Sequence, residues 1–126
     1  MKTPEHLKYT ETHEWVGSEA GGTLAVGITE HAQEVLGDIV FLELPPAGKR
    51  YAQGEACAVI ESVKAASDIY MPVAGVVVAA NDDLAKSPEQ VNADAYGAWM
   101  FRITPDNAAD IGGLMDAAAY AGHAAK

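Results

Sequence analysis

ACAVIESVKAASDIYM, residues 56–71, joins two β-forming runs at a lysine. Residues 56–62 and 65–70 combine β-branched, aromatic and small apolar side chains, and each predicts a strand. Only Val63 and Lys64 lie between them, so the strands should form a tight antiparallel hairpin. Hairpin turns this short ordinarily use Gly, Asn or Asp, because the backbone must take positive φ. Neither tip residue is of that kind, and Val63 puts an apolar side chain where water is expected. A lysine at a hairpin tip is most often a solvated turn residue. The odd tip chemistry leaves a second reading open, in which the hairpin exists to present Lys64.

The flanking sequence is also mostly β. Residues 13–16 and 23–28 predict a hairpin around Gly21-Gly22. Thr29 can cap a short helix in which Ala32, Val35 and Leu36 follow helical spacing, and Gly37 ends it. Strands are predicted at 38–44, before Pro45-Pro46, at 75–81 and at 99–103. Ser87, Pro88 and Gln90 suggest a capped turn. From Asp106 the chain is rich in Ala, and Ile111, Leu114, Met115 and Ala118 would share one helical face, with Gly112-Gly113 weakening or splitting the helix and 121–126 fraying.

The 126 residues, 49% of them hydrophobic, suffice for one domain with a real core. Eighteen acidic against eight basic residues give a net charge of −10, which disfavours nucleic acid and anionic membranes and suits docking to basic partner surfaces. No apolar run approaches membrane-spanning length, and the start MKTPEHLKYT lacks a signal core, so a bacterial cytoplasmic protein is expected. The single cysteine, Cys57, excludes an internal disulfide and lies in a strand, where a buried small residue is expected. His6, His13, His31 and His123 are scattered, without metal-ligand spacing, and no phosphate loop or nucleophile elbow is present.

Blocks along nearly the whole chain resemble glycine cleavage H proteins, in the family's order. They are Lys8-Tyr9-Thr10 with His13-Glu14-Trp15-Val16, Val26-Gly27-Ile28-Thr29 with Ala32-Gln33, and Leu36-Gly37-Asp38-Ile39-Val40-Phe41 with Glu43-Leu44-Pro45. The run from Glu61 to Ile69 follows, then Pro88-Glu89, Val91-Asn92, and Tyr96-Gly97 before Trp99-Met100. Several ordered blocks are far more specific than one motif. The run Tyr96-Gly97-Ala98-Trp99 is one residue shorter than the family pattern.

The resemblance implies a mainly β fold, a flattened barrel or sandwich of the biotinyl/lipoyl carrier type (a barrel-sandwich hybrid). It implies one domain over 1–126, with a β core at about 8–104, a short helix after the first hairpin and a helical segment at about 106–121. It implies a non-catalytic carrier with lipoic acid covalently on Lys64, and with Glu61 and Gly75 recognised by the lipoate-attaching enzymes. The arm would take an aminomethyl group from the glycine decarboxylase (P protein) to the aminomethyltransferase (T protein), and dihydrolipoamide dehydrogenase (L protein) would reoxidise it. A monomer is expected. The loaded arm ends in a cationic amine, which a cleft with a carboxylate would shield, and Glu14, Thr12 and Asp68 are the candidates. Three rival readings exist. Biotinyl carriers typically flank the lysine with Met, whereas Val63 and Ala65 stand here. Lipoyl domains of 2-oxo acid dehydrogenases usually show Asp-Lys-Ala and lack the His-Glu-Trp block. A non-lipoylated docking module would not need Lys64 together with Glu61 and Gly75.

Overall fold

The structure, a computed structural model, describes residues 2–125. The strands build two antiparallel sheets. The larger has the order β1 (Lys8–Tyr9), β2 (Glu14–Ser18), β3 (Leu24–Ile28), β9 (Phe101–Pro105), β8 (Gly75–Ala80) and β5 (Arg50–Tyr51). The smaller has β4 (Ile39–Glu43), β6 (Ala56–Ser62) and β7 (Ala66–Tyr70), in that order. Val26, Ile60, Val73, Val77, Phe101 and Ile103, from both sheets and the β7–β8 turn, meet in one core and are wholly buried. Each such side chain contributes roughly 1.5–3 kcal/mol by leaving water.

Strand β3 is buried on both faces. Leu24, Val26 and Ile28 face the main core, while Ala25 belongs to a second cluster with Leu7, Tyr9, Trp15, Ala117 and Tyr120. The second cluster is covered by α4 (Ala117–Ala124), the last of the helices α1 (Glu30–Leu36), α2 (Asp82–Lys86), α3 (Gln90–Ala93) and α4. The mainly β architecture expected from sequence is present, as is α1 with its Thr29 cap, whose Oγ1 accepts from the Ala32 amide at 3.2 Å.

Several boundaries differ from expectation. Helix α2 was not foreseen: Asn81 caps it by accepting from the Leu84 amide, and Ser87 ends it and also starts the expected turn, its carbonyl accepting from the Gln90 amide at 3.0 Å. The last strand begins at Phe101, not Trp99, because Asn81 binds the carbonyls of Trp99 and Met100. The C-terminal segment is not one helix over 106–121. A 3₁₀ stretch, Ala108–Gly113, ends at the glycine pair, Met115 bridges to Tyr9, and only then does α4 begin, capped by Asp116. The buried face of α4 is Ala117 and Tyr120, and Ala118 is exposed. The expected fraying covers residues that instead continue α4 to Ala124; Lys126 lies outside the described residues.

The histidines are not scattered in space. His13, His31 and His123 converge, with ring centroids 4.6 Å apart for His13–His31 and 5.5 Å for His13–His123. His13 Nδ1 and the Tyr120 hydroxyl are 2.7 Å apart, the same hydroxyl is 2.7 Å from Thr29 Oγ1, and Tyr120 stacks on Tyr9. His123 Nε2 lies 2.9 Å from the Glu11 carbonyl. Among the described residues, no group of three or more His, Cys, Asp or Glu is arranged to hold a metal ion. The cluster instead docks α4. Burial, then the neighbouring His31 and His123, lower the His13 pKa below its ordinary value of 6.5. The unfolded chain therefore takes up a proton at His13 before the folded chain does. The resulting stability is present above pH 6.5 and is lost as pH falls through the depressed value. Thermal unfolding should show a melting temperature that declines from pH 7 to 5 in the wild type. His13→Asn, which tolerates the positive φ of 72° at that position, should flatten the decline.

Candidate functional site

The β6–β7 hairpin is paired up to Glu61 and Ala66, and Ser62–Ala65 form its tip. The missing Gly, Asn or Asp has a structural replacement. The Ser62 amide donates to the Ala65 carbonyl at 2.7 Å, and the Ser62 hydroxyl accepts from the amides of Lys64 and Ala65 at 3.3 and 3.1 Å. A hydroxyl serving backbone groups inside the turn is serine's usual turn chemistry, and it lets the tip form without positive φ.

The tip leans on the turn between α1 and β4. The Val63 amide donates to the Asp38 carbonyl at 3.0 Å. Gly37, at φ 84° and ψ −153°, takes a conformation that essentially only glycine adopts. A Cβ on Gly37 would lie 3.5 Å from Lys64 Cε, so the lysine stem passes directly over it. Lys64 is exposed and has no ion pair among the described residues, and Val63 beside it is 69% exposed. Glu61 is half-buried on β6, opposite Phe41 and Ala66. Gly75 is buried at the start of β8 and is not an exposed turn glycine. A Cβ there would come within 2.4 Å of the Thr104 carbonyl oxygen, so glycine is what lets β9 approach.

A cleft of about 580 Å³ opens where the β1–β2 turn, β7 and the segment before α4 meet. Thr10, Thr12, Glu14, Gln53, Tyr70 and Met115 are among its walls. Glu14 is buried, 1% exposed as a residue. Its Oε1 accepts from the hydroxyls of Thr10 and Thr12 at 2.5 Å each, and its Oε2 lies 3.4 Å from the Tyr70 amide. Burial pushes its pKa up, while the two threonine hydroxyls and the Tyr70 amide oppose the shift. No cation pairs with it among the described residues. The result is a desolvated acid that favours a positive group brought to it. Thr12 therefore joins Glu14 in the cleft. Asp68 does not line it: it is exposed on β7, two residues before Tyr70 and so on the same strand face, on the side toward Lys64.

Tyr70, Gln53, Tyr9, Pro72 and Met115 are cleft residues that sequence reasoning missed. They come from four distant segments, and no local pattern links them. Cys57 lies near the acid but is buried, with its thiol pushed up to about 12 by burial first and the Glu14 charge second, so it is no nucleophile.

A small two-sheet β domain that holds a lysine out on a braced hairpin has the architecture of a prosthetic-group carrier. Residues 7–126 match the family model described as Glycine cleavage H-protein. A glycine cleavage system H protein of Azoarcus sp. (strain BH72) is 64% identical over 118 residues, covering 94% of this chain and 93% of that protein. One from Thiobacillus denitrificans is 61% identical over 120 residues, covering 95% and 93%. The crystal structure of a glycine cleavage system H protein from Mycobacterium marinum superposes with a TM-score of 0.88 at 36% identity, over 98% of this chain and 99% of that one. The chain belongs to the glycine cleavage H-protein family, whose members are lipoate-bearing carrier subunits, and it is a lipoyl carrier of the glycine cleavage system. Among the described residues no helix is long and apolar enough to cross a membrane.

The buried position of Gly75 has a direct consequence. Gly75→Ala should destabilise the fold by about 1–3 kcal/mol, because the new methyl group meets backbone rather than a movable side chain. Chemical denaturation of the two proteins measures the difference.

Proposed function

We propose that Lys64 carries lipoic acid in amide linkage and that the protein is the shared substrate of the glycine cleavage enzymes. The observation that carries this reading is an exposed lysine, without an ion pair among the described residues, on a braced hairpin tip whose second strand runs to the wall of a cleft holding a buried acid. Lysine plus lipoyl chain spans about 14 Å by summed bond rises. Strand β7, Ala66–Tyr70, runs about 13 Å from the foot of the tip to the cleft wall. Acylation removes the lysine charge without orphaning a partner, since Lys64 has no ion pair among the described residues.

When bound, the lipoyl group supplies the sulfur chemistry that accepts a one-carbon amine unit and hands it on. The rest is done by this chain's own residues. The Ser62 hydroxyl and Asp38 carbonyl hold the tip still. Glu14, oriented by Thr10 and Thr12, receives the cationic end of the loaded arm and keeps it from bulk water. Asp68, on the route from Lys64 to the cleft, attracts the same charge. Glu61 faces the lipoate-attaching enzymes beside the lysine, and Gly75 acts on the same recognition indirectly, by fixing the β8–β9 approach.

The partners in this reading are the glycine decarboxylase (P protein), the aminomethyltransferase (T protein), dihydrolipoamide dehydrogenase (L protein) and the lipoate-attaching enzymes. The chain catalyses no step itself, works as a monomer in the bacterial cytoplasm, and meets basic partner surfaces with its net charge of −10.

Lys64→Arg keeps the charge but cannot be lipoylated. It should abolish glycine oxidation in a system reconstituted from the three enzymes, and retained turnover would refute the assignment. Glu14→Ala removes the buried acceptor. It should shorten the hydrolytic lifetime of the loaded carrier by about tenfold, the worth of one charge-assisted hydrogen bond. An unchanged lifetime would deny Glu14 a shielding role.

A further inference from the structure

The block Val91-Asn92, distant from the lysine in sequence, has a definite place in the structure. Asn92 lies in α3 and its side chain is spent wholly on α1 and the turn that follows it. Its Oδ1 accepts from the Ile39 amide at 2.8 Å. Its Nδ2 donates to the Gly37 carbonyl at 2.8 Å and to Gln33 Oε1 at 2.9 Å. The backbone partners fix the orientation of the amide, since only its oxygen can face the Ile39 N–H. One side chain thus bridges both ends of the three-residue turn 37–39. That turn carries the Asp38 carbonyl that binds the Val63 amide, and the Gly37 surface over which the Lys64 stem passes.

The geometry points to Asn92 as a positioning residue for the lysine hairpin: it clamps the Gly37–Ile39 turn, and the turn fixes how Lys64 is presented to the enzyme that acylates it. This rests on the reading of Lys64 as the lipoylated residue. Asn92 touches neither the lysine nor any reacting atom, and it acts through the Asp38–Val63 hydrogen bond. The position also explains the residue type. A turn that offers an N–H at one end and a carbonyl at the other needs an acceptor and a donor on one short, flat group, which an asparagine amide supplies. Aspartate would keep the bond to Ile39 but set a carboxylate oxygen against the Gly37 carbonyl and Gln33 Oε1.

Releasing the clamp lets the tip sample orientations in which the amine is misplaced. Apparent affinity then falls with the fraction of competent tip, while the step at saturation is unaffected. The comparison is between wild type, Asn92→Ala and Asn92→Asp, with Asn81→Ala as control. Asn81 is also an asparagine that binds backbone through both side-chain atoms, to the Leu84 amide and the Trp99 carbonyl, but it does not touch the turn or the hairpin. Each protein is incubated with a lipoate–protein ligase, ATP and lipoate. Acylation releases AMP from the ligase-held lipoyl adenylate as the C–N bond to Nζ forms and Nζ loses a proton, and intact mass follows it. Amide hydrogen exchange of Val63 is measured alongside.

Both Asn92 variants should raise the KM for the carrier by about tenfold, equivalent to about 1.4 kcal/mol, with kcat within about twofold, and should speed Val63 exchange. Asn81→Ala should leave the KM and Val63 exchange as in wild type, whatever its melting temperature. Wild-type KM in the Asn92 variants, or an equal rise in Asn81→Ala, overturns the proposal. If wild type itself takes up no lipoyl group, the Lys64 assignment falls. Val63 exchange, which needs no lipoate, still decides whether Asn92 holds the hairpin.

Discussion

One backbone hydrogen bond organises the functional end of this molecule: the Val63 amide held by the Asp38 carbonyl. The hairpin tip, Ser62–Ala65, has no Gly, Asn, Asp or Pro to stiffen it. Its rigidity comes from the Ser62 hydroxyl within and from the α1–β4 turn outside. A carrier lysine has to be exposed and yet not wander, because a mobile base spreads the arm's end over a larger volume and lowers its effective concentration at a partner site. Bracing the backbone while leaving the side chain free reconciles the two demands.

At the other end of the arm's path the fold holds a buried carboxylate. Keeping Glu14 desolvated costs stability, and the two threonine hydroxyls and the Tyr70 amide offset only part of that cost. The C-terminal segment is needed to enclose the acid, since Met115 and its neighbours complete the cleft wall. Docking of α4 through Tyr120 and the histidine cluster holds that segment in place. The second core thus serves the site as much as the fold.

The β core was legible because β6, β7 and β8 are rich in β-branched, aromatic and small apolar residues, and because Gly and Pro mark most of the turns between strands. The tip lysine was legible because Val63-Lys64 breaks the chemistry of a short turn. What was not legible depends on long-range contact. Asn81 read as the end of a strand and Asn92 as part of a sequence block, yet each is committed to a distant backbone segment. Three histidines spread over 111 positions carry no spacing signal: α1 sets His31 beside His13, and only the docking of α4 stacks His123 on it. The packing role of Gly75 was hidden because its neighbour in contact, Thr104, lies a strand away in space and 29 residues on in sequence. The cleft was half visible: the His-Glu-Trp block drew attention to Glu14, while Tyr70 and Met115 had nothing local to mark them.

The most direct measurement is a tryptic map of the chain isolated from cells supplied with lipoate. Trypsin does not cut after an acylated lysine, so modification at Lys64 predicts a single peptide spanning 51–86, heavier by one lipoyl group. Recovery of only the two unmodified peptides 51–64 and 65–86, or of a lipoyl group on another lysine, would contradict the assignment of Lys64 as the anchor.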